Sequence, residues 1–135
     1  MKLPRGQAAA NDVIREYKIR ATEKGIELTL TTEEMMSLFQ GSCHYCGLPP
    51  SQERRHNKKR YNGSFIYNGI DRIDNHEGYV MFNVVPCCGV CNRMKSDLSE
   101  VDFIEHIAKI FNRRSEDNVR SIEQRVGDNS HRRTG

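Results

Sequence analysis

Two Cys-x-x-Cys pairs, Cys43-His44-Tyr45-Cys46 and Cys88-Gly89-Val90-Cys91, bracket a stretch rich in polar side chains, Asp71-Arg72-Ile73-Asp74-Asn75-His76-Glu77-Gly78-Tyr79. Two residues between cysteines let one tight turn aim both thiolates at a single ion, and two such turns complete a tetrahedron. One structural zinc held by Cys43, Cys46, Cys88 and Cys91 is the expectation; redox thiols or unrelated buried thiols are the alternatives. Cys87 would break the two-residue spacing and is expected to pack as a small hydrophobe. His44 lies inside the first turn, where four cysteines leave it no ligand position. The second pair runs directly into Asn92, so a clamp there would frame residues suited to metal-assisted phosphodiester chemistry.

Composition agrees with a small domain that needs such a clamp. In 135 residues, 36% are apolar and none is Trp, which leaves a thin core. No run approaches the roughly 18 apolar residues of a membrane span. Met1-Lys2-Leu3-Pro4-Arg5-Gly6 lacks the apolar stretch of a signal peptide. Export is therefore not expected, and the cysteines read as thiolates rather than disulfides. The net charge is only +3, but it is uneven. Arg54, Arg55, Lys58, Lys59 and Arg60 cluster around His56 and Tyr61, and the C-terminal stretch adds Arg113, Arg114, Arg120, Arg125, Arg132 and Arg133. Such a cluster suits polyphosphate as readily as it forms a solvated loop; its place between the knuckles favours nucleic acid.

The elements that must position these residues follow from pattern. Ala10, Val13, Ile14, Tyr17 and Ile19 give a helical stripe over 10–24, with Gly25 as C-cap. Glu27 to Leu30 alternates as a short strand. Thr31 or Thr32 caps a second helix through about Gln40. Residues 48–63 read as a loop. Ser64 to Ile73 and Tyr79 to Val85 are β-prone runs, and the Asp74–Gly78 turn between them makes a hairpin in which Gly78 is expected to take a positive φ. A short helix follows Cys88. Ser99 caps a last amphipathic helix bearing Val101, Ile104, Ile107, Ala108 and Phe111. From about Ser115 the chain is polar and expected to be frayed or helical only in part.

Asp71-Arg72, then Asn83, then Cys88-x-x-Cys91-Asn92-x-x-Lys95 resembles the HNH endonuclease family, the zinc-knuckle branch of the ββα-metal nucleases. The resemblance spans roughly residues 38–98, and the Lys24 to Leu30 segment is similar to the N-terminal extension of phage-like and restriction-like members. It implies an α+β fold: a ββα-metal hairpin-helix core with a zinc-knuckle clamp and flanking helices. It implies that Asp71 and Asn92 ligate a catalytic ion, that Asn83 holds the active-site loop, and that the substrate is DNA. Oxygen ligands of this kind suit Mg²⁺ or Mn²⁺. The corresponding organisation is an N-terminal helical extension (1–41), the nuclease core (42–98), a C-terminal packing helix (99–114) and a polar basic tail (115–135). The setting implied is the cytoplasm of a bacterial or phage-infected cell, in restriction or in phage biology.

The chain departs from that family at Arg72, where the general base is ordinarily His. A guanidinium stays protonated and has no acceptor, so it cannot take a proton. It can hold a phosphate through two N–H groups. Members that start Asp-Arg and continue Glu-Gly-Tyr resemble a rarer restriction-type variant in which a Tyr stands in for His, and Tyr79 is that position here. His76 is the rival, since it titrates in the useful range; Tyr79 could equally be a strand aromatic. Arg93 and Lys95 divide between solvated surface and phosphate contact. The leading function is a metal-dependent DNA endonuclease, with Arg54, Arg55, Lys58, Lys59 and Arg60 on the DNA backbone. The alternative, which Arg72 keeps alive, is a catalytically silent zinc module that binds nucleic acid. A single active site cuts both strands only as a homodimer or by acting twice.

Overall fold

The computed structural model describes residues 3–56 and 63–133, the last six of these (128–133) by backbone alone. The chain forms two compact units, Met1–Ser99 and Glu100–Gly135. No helix among the described residues is long and apolar enough to cross a membrane.

Helix α1 (Gln7–Lys24) buries Ala9, Ala10, Val13, Ile14 and Ala21, the face its spacing marks out; Ile19 lies off that face and is exposed. Gly25, at φ 67°, closes the helix in the left-handed region and donates to the carbonyl of Thr22. Helix α2 (Thr32–Phe39) starts with a capping box. The Thr31 hydroxyl accepts from the Glu34 amide, and the Glu34 carboxylate accepts from the Thr31 amide. Met35 and Phe39 of α2 join Val13, Ile14, Phe65, Ile70 and Val84 in one core. Phe39 meets the rings of Tyr17, Phe65 and Tyr67 at centroid separations of 5.6–5.8 Å, a spacing at which edge-to-face aromatic pairs add to burial.

Two antiparallel ribbons follow. Strands β1 (Gln52–Arg55) and β2 (Ser64–Tyr67) form the first, with Glu53 opposite Ile66. Strands β3 (Gly69–Arg72) and β4 (Val84–Cys87) form the second, with Asp71 opposite Val85. Three expectations change here. Part of the 48–63 segment is the strand β1 rather than loop. The run from Ser64 to Ile73 is broken at Asn68, so its halves belong to different sheets. Asn68 is fully buried; its amide donates to the carbonyls of Gly41 and Leu48, and its backbone N–H to that of Phe39. A buried side chain committed to two loop carbonyls, beside a backbone N–H held by the end of α2, fixes the crossover between sheets, an effect that β-propensity does not carry. The run from Tyr79 to Val85 is likewise divided, since Met81–Asn83 is a 3₁₀ turn and only Val84 onward pairs as strand.

The segment around Leu28 makes one bridge rather than a strand. Its backbone grips Tyr79, whose N–H donates to Glu27 and whose carbonyl accepts from Thr29. Gly78 serves this approach and not a positive φ: it is absent from the left-handed residues, and a Cβ there would lie 2.6 Å from the Glu27 carbonyl oxygen.

Helix α3 (Gly89–Lys95) follows β4 at once, with the Cys88 sulfur as its N-cap acceptor. In the second unit, α4 (Glu100–Arg133) is one continuous helix of 34 residues. The expected frayed tail is therefore helical. Its polar composition conceals a continuing apolar repeat, Phe111, Val119, Ile122 and Val126, at helical spacing.

Candidate active site

The clamp is built by local turns at the two ends of the core. The sulfurs of Cys43, Cys46, Cys88 and Cys91 all lie within 4.8 Å of one another, and those of Cys46 and Cys88 are 3.7 Å apart. Tetrahedral thiolates at about 2.3 Å from an ion stand about 3.8 Å from each other, so the set fits a tetrahedral metal. Burial opposes ionisation of Cys43, but the amides of Cys88, Cys46 and Tyr45 outweigh it and bring the thiol down to about 6. Backbone donors thus prepare one thiolate for a cation. Cys87 stays outside the set. It is buried, burial pushes its thiol up, and it lies 3.4 Å from the Cys88 carbonyl.

From the clamp, β4 leads back to β3, where Asp71 is buried with its carboxylate in a cage of donors. The Tyr45 hydroxyl donates to Asp71 Oδ2 at 2.8 Å, and the Lys95 ammonium stands 3.2 Å from the same oxygen. Both contacts are made by Oδ2. Lys95 is completely buried and also donates to the Arg72 carbonyl at 3.0 Å. Lys95 is therefore a correction: neither solvated surface nor DNA contact is open to it, because Asp71 and β3 use its charge inside the core. An unpaired ammonium would not be tolerated there.

Asn83 is buried and closes the turn with three hydrogen bonds. Its amide donates to the carbonyls of Asp74 and Gly78, and its oxygen accepts from the Asp74 amide. Arg72 donates to the carbonyls of Asn75 and Glu77, and its guanidinium lies 5.4 Å from the centre of the Tyr79 ring. Tyr79 packs edge-on against Tyr17 at 6.0 Å. His76 is 97% exposed and pairs with Asp74; the backbone amide and ring of His76 together hold the Asp74 carboxyl below the usual carboxylate range.

A cavity of about 230 Å³ opens at this point, lined by Asp71, Arg72, Asn75, Tyr79, Asn92 and, from α1, Tyr17, Arg20 and Lys24. The structure thus brings Asp71, Arg72, Tyr79 and Asn92 together and leaves His76 outside the lining. Arg93 is exposed on α3. Arg54 pairs with Glu16 of α1, and Arg55 with Glu53 at 3.1 Å. Lys58, Lys59 and Arg60 lie outside the described residues.

Sequence reasoning missed Tyr45, Arg20 and Lys24 as participants, and it missed the roles of Lys95 and Tyr17. Tyr45 carries no signal beyond its place in the knuckle. Lys95 had one, because its three-residue step from Asn92 puts both on neighbouring positions of a helix face. Tyr17 and Lys24 of α1, with Arg20 one position off their line, share a face by the same spacing. Tyr17 was read as core, and it is: burial pushes its phenol up to about 12, and that neutral hydroxyl accepts from the Ile70 amide at 2.9 Å, anchoring β3 beside Asp71.

An antiparallel hairpin that feeds a helix, with a four-cysteine cluster at the junction of strand and helix, defines a small α+β protein of ββα architecture. Among solved structures, the fold is similar to that of the rare-cutting HNH restriction endonuclease PacI, with a TM-score of 0.53 and 24% identity over 78% of this chain and 81% of that one. At that identity the likeness is one of fold. In sequence, 103 residues, 76% of the chain, are 37% identical to the uncharacterized protein R423 of Acanthamoeba polyphaga mimivirus, and the chain spans only 17% of that relative's length. No family model matches the chain.

Proposed function

We propose that this chain is a metal-dependent DNA endonuclease, with zinc in the cysteine clamp and Mg²⁺ or Mn²⁺ at Asp71 and Asn92. The observation that carries the reading is the state of Asp71. A buried carboxylate has one oxygen held by Tyr45 and Lys95, while the residue lines a polar cavity shared with Asn92 and Arg72. Two oxygen donors facing one cavity suit a hard cation, with water and phosphate completing its shell. When bound, such an ion supplies charge neutralisation at the phosphate and at the leaving oxygen.

The chain's own residues divide the remaining work. Arg72 is held by two carbonyls and an aromatic face, so its free N–H groups are oriented for a phosphate without further ordering. Asn83 keeps the turn that presents Arg72. Tyr45 is the hydroxyl that touches Asp71, at 2.8 Å, and so is placed to exchange a proton there, ahead of Tyr79, which lines the cavity without a hydrogen bond to Asp71 among the described residues, and of His76, which is exposed beside Asp74. DNA is the partner, with Arg93 and Arg55 as exposed contacts to its backbone.

The silent binding module is the second reading, and Arg72 in the usual base position favours it. Plasmid cleavage decides between the two. With Mg²⁺ or Mn²⁺ the wild type is expected to nick or linearise plasmid, EDTA to stop it, and Asp71→Asn to abolish it while zinc content stays at one ion per chain. Intact plasmid under every divalent ion, with zinc fully loaded, would refute the enzyme.

A further inference from the structure

The cavity at Asp71 carries more positive charge than the metal ligands require. Its lining holds three cations, Arg20, Lys24 and Arg72, against one carboxylate, Asp71. That carboxylate already has the buried Lys95 beside it at 3.2 Å. Glu16, one turn before Arg20 on α1, is engaged by Arg54. The lining therefore carries more cations than carboxylates, with Arg20 also in the field of Glu16 and Arg72 in that of Asp74. Two of the three cations are oriented by rings: the Arg20 guanidinium lies 4.9 Å from the centre of Tyr17, and Arg72 lies 5.4 Å from that of Tyr79. Stacking of this kind holds a guanidinium in place while leaving N–H edges free for an acceptor.

A second, independent feature points the same way. Asn75 also lines the cavity, and its buried side-chain amide nitrogen has no hydrogen-bond partner among the described residues. A buried donor without an acceptor is costly. The turn does not need that amide, because Asn83 closes it with three hydrogen bonds and Arg72 uses only the backbone carbonyl of Asn75. An excess of cations around one cavity, beside a residue with an unpartnered donor, suits an anionic oxygen ligand.

We infer that Arg20 and Lys24 of α1, together with Arg72 and the Asn75 amide, form a phosphate subsite that holds the DNA phosphate adjacent to the one that is cut. The inference rests on the endonuclease reading and assigns α1, which lies outside the ββα core, a direct part in substrate binding. Its connection to the site is already rigid, since the Tyr17 hydroxyl accepts from the Ile70 amide next to Asp71.

The test uses the full chain with zinc, a duplex bearing the mapped cut site, and Ca²⁺ in place of the catalytic ion. Arg20→Gln with Lys24→Gln should leave zinc content and helical circular dichroism unchanged. It should reduce the slope of log affinity against log salt by about 1, the loss of one phosphate contact. Replacing the adjacent phosphate with a neutral methylphosphonate should weaken wild-type binding about tenfold, as expected for lost charge-assisted hydrogen bonds, and should hardly affect the double variant. Asn75→Leu should lower DNA affinity while the melting temperature holds or rises, the opposite of what loss of a structural amide would do. A double variant with the wild-type salt slope and the wild-type sensitivity to methylphosphonate overturns the subsite. So does competition by inorganic phosphate at constant ionic strength combined with indifference to methylphosphonate, which would mark a site for free phosphate. If the wild type cuts DNA and the variants match it, only the subsite falls; if the wild type neither binds nor cuts, the endonuclease reading falls with it.

Discussion

The cysteine clamp takes its ligands from two turns of four residues each, whereas the cavity at Asp71 takes its lining from α1, β3, the hairpin turn and α3. The clamp is a local device used twice. The cavity exists only once those four segments have come together. The two therefore fail in different ways: the clamp through loss of the fold, the cavity through loss of one contact at a time.

The largest expected effect is at the clamp. Cys91→Ser should remove the metal and with it cooperative unfolding, because binding of a structural zinc is worth about 10–16 kcal/mol in small domains. Metal analysis and a thermal melt check this; a folded, metal-loaded Cys91→Ser protein would break the contrast. Next comes Lys95, which ties α3 to β3. Lys95→Ala leaves the buried Asp71 carboxylate without its ammonium and should cost about 3–5 kcal/mol, as for other broken buried pairs. Denaturant unfolding measures it, and a loss below 1 kcal/mol would show that the pair is not buried in solution.

Around Asp71 the effect should move from stability to rate. Tyr45→Phe removes a single hydrogen bond to Asp71 and should lower stability by about 1 kcal/mol, yet slow plasmid cleavage about 100-fold, the lower range for a lost proton-transfer group. Tyr79→Phe should be the milder of the two, because its ring packing survives. If Tyr79→Phe proves the more damaging, the proton-transfer role belongs to Tyr79 and Tyr45 only positions Asp71. At the far end, Arg55→Ala should change stability by less than about 0.5 kcal/mol, because its pair with Glu53 is largely exposed. Its effect belongs in DNA affinity at low salt.

The same contrast explains what could be read in advance. Both knuckles, the capping box at Thr31, the Gly25 cap and the α1 core face are encoded within a few residues, so spacing alone exposes them. The break at Asn68 was not legible, because three carbonyls 20 or more residues away, of Phe39, Gly41 and Leu48, decide it. Lys95 and Arg93 look alike in sequence, two cations on a short helix, and only packing separates the buried partner of Asp71 from the exposed side chain. The continuity of α4 was hidden by its charge, although the spacing of Val119, Ile122 and Val126 was present.

By itself, then, the sequence determined the two Cys-x-x-Cys turns and the turn between two strands. Those depend on short-range spacing, which survives in a string of letters. Only the tertiary structure decided that Tyr45 and Lys95 share one oxygen of Asp71 and that Arg20 and Lys24 line the cavity. Each of those is fixed by the approach of segments 20 or more residues apart. That approach is set by how the core packs around Phe39, a quantity no local pattern contains.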